Sequence, residues 1–71
     1  MSGETKTRIA ALPAPYGREI WLDDIRFESG LQLLRVTIKE GRRFTQIDLD
    51  PTTAERWAEA MRAWARASGT A

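Results

Sequence analysis

The chain reads as a small α+β domain: an antiparallel meander of three strands, or four if the first is split, followed by one C-terminal helix packed on one sheet face. Three observations predict this class. Apolar, β-branched and aromatic residues concentrate in three stretches, residues 19–28, 31–39 and 43–49, the composition of pleated strands. Gly30 and Gly41 separate the stretches, and glycine supplies the positive φ that short hairpin turns need. The segment 51–67 is alanine-rich and therefore high in helix propensity.

The entry to the helix is the best-marked junction. In Leu49-Asp50-Pro51-Thr52-Thr53, the Asp50 carboxylate can accept hydrogen bonds from the first free backbone N–H groups, the N-cap role. Pro51 then falls at the first helical position, where its missing N–H costs nothing. Gly69 is a stop signal at the other end. Trp57, Met61 and Trp64 recur at helical spacing and form one apolar stripe. If fully packed, either tryptophan would cost about 3–5 kcal/mol on truncation to alanine. A sheet too short to cover Trp64 would instead leave it as an exposed anchor, and tryptophan is enriched at binding hot spots.

The N-terminal residues carry weaker signals. Residues 1–8 are polar, and Pro13 and Pro15 exclude a helix interior. Residues 1–17 are therefore expected as a flexible arm, unless Ile9, Leu12 and Tyr16 dock on an apolar surface. Residues 18–68 then form the domain and 69–71 a tail.

Two-residue turns at Ser29-Gly30 and Glu40-Gly41 pair Leu34 with Ile25 and with Ile47. One face then holds Trp21, Ile25, Phe27, Leu34, Val36, Ile38, Ile47 and Leu49, for the helix stripe to cover. Strict alternation, however, leaves Ile20 and Leu22 outside. A bulge at Asp23-Asp24 is the favoured remedy, because it turns Ile20 and Leu22 inward and both aspartates to water.

Seventy-one residues make one domain, and a chain this short buries only about 60% of its unfolded surface. It contains no cysteine and no histidine. Disulfides, thiolate metal sites and the usual general base are thereby removed. Small domains without such supports often rely on a partner subunit, so a homodimer is expected. Eleven basic and ten acidic residues nearly cancel and attract no class of partner in bulk. No apolar run approaches the ~20 residues of a membrane span, and no signal peptide is visible. A cytoplasmic protein without a membrane partner is the expectation. No catalytic motif, phosphate loop or metal-ligand cluster is present, so the reading is a non-enzymatic protein with no cofactor and no metal.

The sheet face away from the helix is expected to carry Arg26, Leu33, Arg35, Thr37, Lys39, Phe44, Gln46 and Asp48, with Arg42 and Arg43 at the turn. Two uses compete. As a contact surface it would self-associate or bind a protein partner. As a stacking platform, Arg26, Arg35, Lys39, Arg42, Arg43 and Phe44 would bind single-stranded nucleic acid, the aromatic holding bases and the cations following phosphates. Cross-strand pairing of Asp24 with Arg35 would make the same face an ordinary solvated one.

The run Leu33-Leu34-Arg35-Val36-Thr37-Ile38, then Phe44-Thr45-Gln46-Ile47-Asp48-Leu49-Asp50-Pro51 and Glu55-Arg56-Trp57, resembles the single-stranded-DNA-binding transcriptional coactivator family, with its twisted strands and C-terminal helix. The resemblance covers about residues 19–66. Arg43-Phe44-Thr45-Gln46 stands where that family has a lysine-glycine pair. The resemblance implies dimerisation and single-strand binding through the sheet.

Overall fold

The computed structural model describes residues 3–68. It contains four antiparallel strands in sequential order, β1 (Thr5–Ala14), β2 (Arg18–Arg26), β3 (Gln32–Glu40) and β4 (Arg43–Leu49), then one helix, α1 (Pro51–Ser68). The α+β class and the helix packed on one sheet face stand as expected.

The fourth strand does not come from a split in the first expected one. It is β1, in the segment expected as a flexible arm; residues 1–2 and the tail at 69–71 lie outside the described residues. Pro13 is compatible with this because β1 is an edge strand, where a missing N–H breaks no ladder. The bulge is also in β1. Arg8 pairs with Asp23 and Ala10 with Leu22, leaving Ile9 as the extra residue. Arg8 is thereby turned to one face of the sheet and Ala10 and Leu12 to the other. Asp23-Asp24 carries no bulge: β2 runs unbroken against β3, with Asp23 opposite Arg35 and Asp24 opposite Leu34.

Turn length in one hairpin and turn position in the other account for the remaining register differences. The Phe27 N–H donates to the Leu31 carbonyl and the Gly30 N–H to the Phe27 carbonyl, both at 2.9 Å. Gly30 has φ 98°, which closes a three-residue loop of a turn followed by a left-handed residue. One residue more than a two-residue turn shifts the register by one and exchanges the faces of β2. Ile20 and Leu22 thus join the helix side, with Asp24 and Arg26, while Trp21, Asp23 and Ile25 take the other. The β3–β4 turn is Gly41-Arg42, with Glu40 opposite Arg43. Ile47 therefore faces Val36, and Leu49 faces Leu34, two residues along from the expected pairing but on the expected faces.

The β1–β2 turn contains the one positive-φ residue other than glycine among the described residues, Tyr16 at φ 64°. Its side chain is 91% exposed, and the Arg18 guanidinium lies 5.7 Å from the ring centroid. A left-handed backbone costs an ordinary residue about 1 kcal/mol, and asparagine tolerates it better. Tyr16→Asn is expected to stabilise the domain by roughly 0.5–1 kcal/mol, read from urea denaturation; an unchanged or lower midpoint would show that the ring contact outweighs the backbone.

The Asp50 cap forms as expected: the Thr53 N–H donates to Asp50 Oδ1 at 3.2 Å, and the Ala54 N–H to the Asp50 carbonyl at 2.9 Å. Hydrogen bonds from Thr53, side chain and then backbone, hold the Asp50 carboxyl below its ordinary value. The helix stripe does not pack as a core. Ala54 is half-buried, but exposure climbs along the helix, from 41% at Trp57 to 60% at Met61 and 71% at Trp64. The severe cost expected for Trp64→Ala therefore does not apply to the single chain; the exposed-anchor alternative does.

Candidate interaction surface

The two sheet faces are finished to different degrees. Ile25, Asp23 and Thr37 are almost fully buried, and all three lie on the face away from the helix. Side chains of that face form a thin layer over it. The Arg8 guanidinium lies 4.6 Å from the Trp21 ring centroid, and its Nε donates to Asp23 Oδ1 at 2.6 Å. Trp21 and Phe44 meet with centroids 5.8 Å apart. Trp21 Nε1 donates to Glu19 at 2.7 Å, and Gln46 Nε2 to the Thr37 hydroxyl at 3.4 Å. Among the described residues no buried side-chain polar atom is left without a hydrogen bond.

The six residues expected to bind a partner or nucleic acid do not form one patch. Arg26 is on the helix side, its Nε 2.9 Å from Asp24; that contact holds the Asp24 carboxyl below its ordinary value. Arg35 is clamped by Asp48 through Nε at 2.9 Å and Nη2 at 3.2 Å. The paired charges lower the Asp48 carboxyl and raise the guanidinium, both led by this hydrogen bond. Asp48, not Asp24, is thus the partner of Arg35, with Glu4 a further 3.9 Å contact. Arg43 is opposite Glu40 at the hairpin end and Arg42 is in the turn. Only Lys39 and Phe44, direct partners across β3 and β4, remain side by side. Lys39, Arg42 and Arg43 have no ion-pair partner among the described residues. Bidentate and salt-bridged arginines are poor free phosphate ligands, because each must first give up its carboxylate.

The helix side buries Val36 and Leu49 but leaves apolar surface open beside them. A cleft of about 300 Å³ opens between sheet and helix, floored by Leu12, Ile20, Leu22 and Val36 and walled by Trp57 and Met61. Its lining is almost wholly apolar. A second apolar hollow continues along the helix past Met61 to Trp64 and Ala65. Leu12 and Ile47, both on this side, are about half exposed, at 48% and 47%. Reasoning from sequence missed this surface, because it counted Ile47 and the helix stripe as core and placed Leu12 in a flexible arm. The rising exposure along the stripe depends on the path of the helix, which spacing alone does not define.

Global dimensions agree. The accessible surface is 5758 Å², whereas a folded monomer of 8.1 kDa is expected to expose about 4,500 Å². The radius of gyration is 14.2 Å, against about 11 Å for a compact chain of this length. The molecule is a slab 15 Å thick along its shortest axis, one sheet with a helix laid partly over it.

No helix among the described residues is long and apolar enough to cross a membrane, and no group of three or more acidic, histidine or cysteine side chains gathers there as a metal site. Residues 3–67 match the model of a family of unknown function, DUF6967, and the chain belongs to that family. No curated protein and no solved structure is similar enough to count as a match.

Proposed function

We propose, with membership of an uncharacterised family as the premise, that this domain is a non-enzymatic interaction module that assembles as a homodimer through its apolar helix–sheet face. One observation carries the reading: the single chain exposes roughly 1,200 Å² more surface than its mass requires. A standard protein interface covers about 800 Å² of each partner. The excess is therefore enough for one such interface, and five of the exposed large apolar side chains, Leu12, Ile47, Trp57, Met61 and Trp64, lie on the helix side. A contiguous exposed apolar patch of several hundred Å² marks an interaction site on a soluble protein. With no disulfide available, burying that face against a second copy is the remaining way to stabilise so small a core.

Self-association makes stability depend on protein concentration. The melting temperature is expected to rise with each tenfold increase in concentration, and to stay unchanged when a short single-stranded oligonucleotide is added at low salt. A concentration-independent melting temperature that the oligonucleotide raises, less so at moderate salt, would overturn this reading in favour of nucleic-acid binding around Lys39, Arg42, Arg43 and Phe44.

A further inference from the structure

Resting on the self-association reading, we infer that the two copies exchange helices: Met61 and Trp64 of each copy lie on the β1–β2 half of the other's apolar face, over Leu12, Ile20 and Leu22. Three observations converge. The helix has its main contacts with β3 and β4 of its own chain, which places its footing at that half of the sheet. Its apolar stripe nevertheless continues for two more turns, each more exposed than the last: Trp57 at 41%, Met61 at 60%, Trp64 at 71%. The floor on the far side of the cleft is apolar, with Leu12 at 48% exposure and Ile20 and Leu22 only part-buried.

One molecule thus carries an apolar ridge that runs on to a largely exposed Trp64, and an apolar floor that its own Trp57 and Met61 wall without filling the cleft between. A second copy related by a two-fold axis supplies each with the other. In such an isologous contact, ridge meets floor twice and the assembly closes at two copies. A head-to-tail use of the same surfaces would instead leave one ridge and one floor free and propagate into a filament. The polar side of the helix, with Glu55, Arg56, Glu59, Arg62 and Arg66, remains in water in this arrangement. Trp64 becomes the central anchor, a large aromatic in an apolar pocket, the kind of residue whose truncation weakens binding roughly 30-fold or more.

The absence of cysteine makes the test clean. Ala10→Cys places a thiol on the helix side of β1 beside Leu22, and Ala65→Cys places one beside Trp64 in the helix hollow. The two single-cysteine proteins are mixed, allowed to exchange subunits, and treated with a short bis-maleimide. Helix exchange gives a cross-linked dimer joining the Ala10→Cys chain to the Ala65→Cys chain, and little product from either protein alone. Arg62→Cys, on the polar side, gives none with Ala10→Cys. Ala65→Cys cross-linking mainly to itself would overturn the exchange, because it means the helices meet face to face. A dimer mass by light scattering with no cross-link from the mixture would overturn it as well, pointing to contact elsewhere, such as the β4 edge. Monomer mass in the untreated mixture is a separate result: it removes self-association itself.

Discussion

Arg8→Met is expected to destabilise the domain by about 3 kcal/mol, the lower end of the range for breaking a buried ion pair. The Asp23 side chain is 1% exposed, and the Arg8 Nε lies 2.6 Å away. Without Arg8 the carboxylate stays buried with its hydrogen-bonded counter-charge gone, and Arg35 across the strands is already engaged by Asp48. Methionine keeps the aliphatic bulk, so the loss is electrostatic rather than steric. The lower end applies because Arg8 is itself 43% exposed, and water can enter where its guanidinium was. A chain this small has only about 3–5 kcal/mol to lose, so a large fraction unfolds at room temperature. The converse change is milder. Asp23→Leu leaves an arginine that can turn to water, and Arg35 opposite keeps Asp48. The double variant Arg8→Met/Asp23→Leu should recover most of the loss, since a buried pair exchanged for apolar groups is often neutral. Urea denaturation of the three variants measures this. An Arg8→Met midpoint equal to that of the parent would show that Asp23 does not depend on Arg8.

Trp64→Glu should leave the fold of the chain in place and destroy its assembly. The side chain is 71% exposed, so a single chain loses little by the exchange, and glutamate is a good helix former. In the dimer the same position places an unpaired charge in an apolar contact, which costs several kcal/mol, or more than a thousandfold in affinity. Sedimentation should show a monomer at concentrations where the parent is dimeric, with the helical circular dichroism signal weakened only as far as lost linkage requires. A parent-like sedimentation coefficient would place the interface away from the helix stripe.

These two residues show where the structure was legible in the sequence and where it was not. Asp50-Pro51 marked the helix start to the residue, because capping is local chemistry. The strands β3 and β4 followed from their own composition. β1 did not: Pro13, Pro15 and the polar residues before Ile9 look like a linker, and only pairing with β2 makes them a strand. That error hid Arg8, and with it the reason Asp23 can be buried. The Ser29-Gly30 pair suggested a two-residue turn, but Glu28 joins the loop, and this one residue moves Ile25 and Trp21 to the other face and Arg26 away from Arg35. Of the expected binding residues, Lys39 and Phe44 stayed together because they are cross-strand neighbours in the strands whose faces were read correctly. Trp64 was seen as an anchor only in the alternative that the sheet fails to cover it. Coverage depends on the direction of the helix axis, a long-range property that a stripe at i, i+4, i+7 does not contain.

The most direct test of the homodimer is the mass of the unmodified chain in solution, by multi-angle light scattering at micromolar concentrations. A mass near twice 8.1 kDa is expected, unchanged by moderate salt because the contact is apolar. A mass of one chain across that range, with the melting transition intact, would contradict it: the open helix–sheet face would then be a stable surface of the monomer.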